Sequence, residues 1–356
     1  MQRHISRIAG AVAAACMLAG VVAVGAPATG NPATLPVEGR AAGFDGATTW
    51  LNSAPVDARA LRGKVVLVDF WTYSCINCIR TMPYVRAWAQ KYRDQGLAVV
   101  GVHTPEFRFE EDLTNVNTAV GRFNIDFPVA VDSRQQIWRA WGNHYWPAYY
   151  LVDAAGRIRY HQFGEGDYDK MERAIQALLA ETRGAPLADT GLVNPQAGAE
   201  LTAPDVARLA SEETYVGYGK AERFRSPERV RQDQARQYTV GALGTNQWGL
   251  SGGWVVGEES ARADQAGAGI AYQFSARDLH LVLGPGAAGR KVRVQVTLDG
   301  RPPGSDHGSD VDADGHGVVD ATRLYQLVRQ SGNVRPRRFE IRFLDRGAEA
   351  YAFTFG

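Results

Sequence analysis

The stretch Val65-Val66-Leu67-Val68-Asp69-Phe70-Trp71-Thr72-Tyr73-Ser74-Cys75-Ile76-Asn77-Cys78 decides how the whole chain is read. Its first half is apolar but for one acid, the composition of a central parallel strand buried on both faces. Cys-x-x-Cys follows at once, and over 80–92 apolar residues recur at helical spacing. Strand, Cys-x-x-Cys, helix is the layout of a dithiol redox site. Cysteines at i and i+3 of a helix lie on one face, a turn apart and close enough to bridge. The first would sit where unpaired N–H groups and the helix dipole favour a thiolate. Cys75 is therefore read as the attacking nucleophile and Cys78 as the resolving thiol.

The rest of the chain isolates this pair. Of three cysteines in 356 residues, Cys16 falls in an N-terminal export segment. There Arg3, His4 and Arg7 precede an uncharged run over 8–24, and Ala26-Pro27-Ala28 offers a small-x-small cleavage site. Residues 1–28 are read as a signal peptide or membrane anchor. Lipoprotein processing at Cys16 is disfavoured, because Ala13-Ala14-Ala15 lack a large aliphatic residue. Each version places the remainder in the periplasm or cell envelope. A bridge between Cys75 and Cys78 closes too small a loop to stabilise a fold through loop entropy, so the pair is read as chemical. Zinc would need further ligands, and His103, His144 and His161 could join only by a coincidence of folding. Thr72, three residues before Cys75, suits a peroxidase, but Val68 stands where that chemistry expects proline. The net charge of +1 and the absence of a basic run exclude a nucleic-acid partner.

Outward from the site, 29–46 reads as a tether and 47–182 as an α/β domain with a mixed sheet. Strands are expected at 64–71, 97–103, 127–131, 149–153 and 158–163, and helices at 75–92, 109–123, 135–141 and 168–181. Pro83 should kink the first helix, and Ala154-Ala155-Gly156 should turn a hairpin. A linker over 183–210 leads to a stretch with period two, such as Val292, Val294, Val296, Leu298 and then Phe339, Ile341, Phe343. Residues 211–356 are accordingly an antiparallel β-sandwich. Within it Asp310, Asp312 and Asp314 open like a calcium loop, but Ala321 stands where a bidentate acid is needed, and a polar hairpin turn explains the same letters. Trp248, Trp254 and Tyr218 are the aromatics that could face a sugar; filling the sandwich core is the favoured role.

Val68-Asp69-Phe70-Trp71, the Cys75–Cys78 pair and Trp146-Pro147-Ala148 resemble the thioredoxin superfamily, and the helix and strand between Phe109 and Val131 resemble the insertion of its TlpA-like branch. Trp71-Thr72-Tyr73-Ser74-Cys75-Ile76-Asn77-Cys78-Ile79-Arg80 resembles the exported region of DipZ-type disulfide reductases. Segments 213–219, 246–248, 277–283 and 351–356 resemble their C-terminal domain, which looks like a carbohydrate-binding-module (CBM-like) jelly roll. The resemblance implies a cis Pro147 facing the cysteines, with Trp146, Trp71, Ile76 and Asn77 joining it in substrate docking. It also implies that Asp69 is a buried acid serving Cys78, its pKa raised by desolvation. Glu106 is a candidate second buried acid. The expected function is an exported thiol–disulfide oxidoreductase acting on protein disulfides, most naturally in the reducing direction. It would need no cofactor beyond the redox-active disulfide. With one apolar segment at most, its electrons would come from a membrane donor of the CcdA kind. A disulfide oxidase or isomerase would use the same parts, and a cell-envelope glycan-binding protein with an incidental dithiol is the rival from another class.

Overall fold

The computed structural model describes residues 35–57, 59–196, 198, 201–286 and 289–356, so the export-segment reading of 1–28 lies outside the described residues. Among the described residues no helix is long and apolar enough to cross a membrane.

The first domain runs β1 (Gly39–Arg40), β2 (Thr49–Leu51), β3 (Val65–Trp71), α1 (Ile76–Tyr92), β4 (Leu97–His103), α2 (Leu113–Arg122), β5 (Val129–Val131), α3 (Gln136–Ala140), β6 (Ala148–Val152), β7 (Arg157–Phe163) and α4 (Tyr168–Arg183). The strands form one mixed sheet in the order β1-β7-β6-β3-β4-β5-β2. β3 is central, parallel to β4 and antiparallel to β6, and every residue of it is buried. Side chains of a strand alternate between the two faces of its sheet. Val65, Leu67 and Trp71 accordingly pack with residues of α1, α2 and α4, while Val66, Val68 and Phe70 pack under α3. The same alternation turns Asp69 toward α1, the helix that carries the cysteines.

Two local expectations change. The tether contributes β1, which pairs with β7 at Gly39↔Ile158; a two-residue strand leaves no periodicity to read. Pro83 lies inside α1, which continues through it to Tyr92.

The second domain runs β8 (Thr214–Tyr215), β9 (Ala235–Tyr238), β10 (Gln247–Val256), β11 (Ala261–Ala263), β12 (Gly269–Phe274), β13 (Asp278–Gly284), β14 (Val292–Leu298), β15 (His316–Val319), β16 (Arg323–Arg329), β17 (Arg337–Phe343) and β18 (Glu349–Phe355). All of the pairings between these strands are antiparallel, and β10 joins two layers. Its first half, through Ser251, pairs with β12; its second half pairs with β9 and β11. The change of partner falls at Gly252, whose φ of 79° suits glycine. A single apolar core fills the space between the layers and includes Trp248, Trp254, Tyr272, Phe343 and Phe353.

The sandwich is docked on the active-site helix. Ile76 and Phe107 of the first domain pack with Val282, Leu324, Tyr351 and Ala352 of the second, and Phe109 meets Tyr351 edge-on at 4.6 Å between ring centres. Beside this apolar contact Arg80, buried on α1, reaches Asp278 at 3.5 Å, His280 Nε2 at 3.4 Å and Glu165 at 3.2 Å. Burial and then the charge of Arg80 hold His280 well below the usual imidazole range, so the neutral ring accepts the guanidinium N–H. Arg80→Ala would leave Glu165 without its cation, while Asp278 keeps Arg277 at 2.5 Å. Breaking a buried pair costs about 3–5 kcal/mol, and the two arginines left on Asp278, Arg277 and Arg329, place this variant near the lower end, read as a loss of unfolding free energy in urea.

Candidate active site

Cys75 is the N-cap of α1, and its Sγ accepts the backbone N–H of Cys78 at 3.3 Å. Capping places the first sulfur at the helix end, where the turn's N–H groups are otherwise unpaired. Both thiols are free; Cys75 is half-buried and Cys78 buried one turn deeper. Burial, then the neighbouring Cys75, push the Cys78 thiol well above its ordinary range, and Asp69 adds to the shift. Asp69 is only 1% exposed, and neither of its carboxylate oxygens has a hydrogen-bond partner. Desolvation pushes its pKa up to about 8, so it is a neutral acid at pH 7. The arrangement is an accessible sulfur over a buried one, with a protonated carboxyl beneath.

The Trp146–Pro147 peptide bond is cis, and Trp146 lines the same cleft as Cys75. Trp146 donates its indole N–H to Thr104 O at 3.0 Å and lies on Trp138, ring centres 4.1 Å apart, which fixes it on the rim. Cys75, Ile76, Asn77 and Trp146 share a cleft of about 970 Å³ whose other wall comes from the linker and the sandwich.

Several expected site residues are placed differently. Trp71, 1% exposed, is no docking residue: it faces inward at an apolar-face position of β3 and meets His103 edge-on at 5.0 Å. Ile76 touches the cleft but is spent on the sandwich contact, at 2% exposure. Glu106 is half-buried in the cleft, where Tyr215 donates to it and Lys220 Nζ lies 3.4 Å away. The fully buried second acid is Glu110. Its Oε1 accepts Ser74 Oγ at 2.6 Å and Ser74 N at 3.3 Å, and its Oε2 accepts the N–H groups of Glu106 and Phe107. Glu110 thereby ties the loop after β4 to the residue preceding Cys75. Two glutamates four residues apart carry no sequence signal for which one turns inward.

The residues weighed for metal or sugar disperse. His103 is buried against Tyr73 and its pKa falls to about 3 through desolvation, while His161 pairs with Glu38 at 2.7 Å. Asp310 is committed to Arg323 at 2.8 Å and to the N–H of Gln326 at 2.7 Å, so it leaves the calcium candidates. Asp312, Asp314 and His316 gather at an exposed hairpin turn, where Asp312 Oδ1 already accepts His316 N. Trp248 and Trp254 are 1% and 0% exposed, core fillers with no face to offer a sugar.

A Cys-x-x-Cys pair at the start of a helix, near a buried acid and on a mixed sheet, defines a thioredoxin-like dithiol site. The chain belongs to the thiol–disulfide oxidoreductases of that family and is an enzyme of this class. Residues 38–179 match the Redoxin family, and residues 211–356 match the family described as thioredoxin like C-terminal domain. The chain is 34% identical to thiol-disulfide oxidoreductase YkuV of Bacillus subtilis over 137 residues, 38% of this chain and 92% of that protein. It is 36% identical to protein DipZ of Mycobacterium tuberculosis, and equally to that of Mycobacterium bovis, over 323 residues, 89% of this chain. The matched region is 43% of each DipZ protein, so the chain spans less than half of their length.

Proposed function

We propose that the protein is an exported reductase of protein disulfides. The observation that carries this reading is the asymmetry of the pair: Cys75 opens to the cleft that Trp146 also lines, while Cys78 lies buried near Asp69. Cys75 releases its proton to water and, as the thiolate, attacks one sulfur of a substrate disulfide. A Cys75–substrate disulfide forms, and the first substrate sulfur leaves as a thiolate that takes up a proton. Cys78 then attacks the Cys75 sulfur, giving its proton to Asp69 in the fraction of molecules whose carboxyl is ionised, a fraction that grows as pH rises toward about 8. The Cys75–Cys78 disulfide forms, and the second substrate sulfur leaves as a thiolate that takes up the proton held by Asp69. Two electrons and two protons pass from the dithiol to the substrate.

The direction follows from what surrounds the pair. A couple becomes oxidising when its reduced form is stabilised as a thiolate. Here Cys78 is buried, Asp69 lies beneath it, and the cleft wall carries Glu106 and Glu213. Such surroundings disfavour negative charge on Cys78 of the reduced pair. The oxidised pair must be reduced again from outside, a role we assign to a membrane dithiol of the CcdA kind. Incubation of the dithiol protein with insulin tests the reading: insulin's disulfides are expected to be reduced with stoichiometric appearance of the Cys75–Cys78 disulfide. Unchanged insulin would refute it.

A further inference from the structure

The cleft that opens on Cys75 belongs to both domains, and its shape and charge point to a class of substrate. Ile76, between the two cysteines, is covered by Val282, Leu324, Tyr351 and Ala352 of the sandwich. Cys75 therefore meets its substrate through the cleft rather than on an open surface. About 970 Å³ is the upper end of small-molecule pockets, which run to roughly 1,000 Å³. A docked folded domain would instead bury about 800 Å² on each partner, far more than this mouth presents. A single extended chain fits such a space.

The lining charges are unequal. Glu106, Glu165, Glu212 and Glu213 line the cleft, against Lys220 as its one lysine. Three of these acids have cations: Glu165 has Arg80 at 3.2 Å, Glu212 has Arg223 at 2.7 Å and Glu106 has Lys220 at 3.4 Å. Glu213 has none within 4 Å among the described residues. It and Glu106 both lie within hydrogen-bond reach of the Tyr215 hydroxyl, so two carboxyls converge on one phenol, and the one lysine pairs with Glu106. Desolvation by the cleft wall, and then Glu106, raise the Glu213 carboxyl above its ordinary range, although the residue as a whole is exposed to solvent.

A separate observation lies in the same wall. In β18, Phe353 and Phe355 turn into the sandwich core, so alternation turns Thr354 outward, toward the first domain. Thr354 lines the cleft at 8% exposure, and its buried hydroxyl has no hydrogen-bond partner. Buried polar groups left unpaired are costly, and a chain segment in the cleft would bring peptide groups to satisfy this one.

We propose that the cleft binds an extended polypeptide segment carrying a basic side chain beside its disulfide, and that Glu213, with Glu106, is the subsite for that side chain. The proposal rests on the reductase reading and specifies its substrate.

The test uses the reduced full chain and three synthetic peptides that share one disulfide, flanked by lysines, alanines or glutamates, with hydroxyethyl disulfide as a small neutral control. A close charge pair in a partly enclosed cleft should favour the lysine peptide over the glutamate peptide by about tenfold in second-order rate constant at low salt, and by less at 0.5 M salt. In Glu213→Gln the ratio should fall to about twofold, and in Glu213→Lys it should drop below one. Equal rates for the three peptides, or a lysine preference that survives both substitutions, would overturn the proposal. Reduction of hydroxyethyl disulfide with no charge preference sinks this inference alone. Failure to reduce any of the four sinks the reductase reading and the inference with it.

Discussion

Cys75→Ser is expected to lower insulin-disulfide reduction by about a thousandfold or more, the scale of losing an activated nucleophile. Cys78→Ser is expected to stop turnover at a different point. Its Cys75 still attacks, but the buried serine cannot resolve the product, so a covalent Cys75–substrate disulfide accumulates and survives non-reducing electrophoresis. The difference follows from exposure: Cys75 caps α1 at the cleft, and Cys78 lies a turn below it. Mass spectrometry of the trapped adduct gives the assignment directly. An adduct on Cys78 in the Cys75→Ser protein, with none in Cys78→Ser, would reverse the two roles.

Asp69→Asn is expected to raise stability while slowing catalysis. The carboxyl has no partner in the core and its pKa is pushed from 3.8 to about 8 by burial. In the unfolded chain it ionises near its ordinary value, so between these limits the unfolded state releases a proton that the folded state keeps. The stability contributed by this acid is therefore fully present below pH 3.8 and lost as pH rises to about 8, with no further change above that. At about 1.4 kcal/mol per pH decade, the ceiling on the loss is about 6 kcal/mol. The asparagine protein escapes it, and urea unfolding should show a gain of several kcal/mol at pH 8.5 and little at pH 4. Parallel pH profiles for the two proteins would contradict the assignment. The kinetic effect has a separate signature. Resolution of the mixed disulfide should accelerate in the wild type as pH rises through about 8, where Asp69 ionises and can accept the Cys78 proton. In Asp69→Asn that rise should vanish and the step slow by about a hundredfold, the lower end of general-base contributions.

The parts of this site that were legible in the sequence are those written in one short segment. β3 announces itself as a buried strand, Cys75 and Cys78 follow at helical spacing, and the lone acid in an apolar run is the one that ends up desolvated. Trp71 was misplaced because an aromatic beside an active-site motif fits the rim and the core equally well in one dimension; strand alternation sends it inward. Glu106 and Glu110 show the same limit: both belong to one loop, and only the packing of that loop against Ser74 decides which is enclosed. The sandwich was readable as strands through its period-two pattern, yet nothing in that pattern says that Val282 and Tyr351 would cover Ile76, or that Glu213 would line the cleft that holds Cys75. Contacts between domains depend on outward-facing residues, which local periodicity records only as exposed.

The reduction potential of the Cys75–Cys78 couple, equilibrated against glutathione with the two thiol states separated by alkylation, tests the central claim most directly. A reductase whose resolving thiol, Cys78, is buried and disfavoured as a thiolate should lie near the thioredoxin value of about −270 mV. A potential near −120 mV, that of a strong disulfide oxidant, would contradict the account.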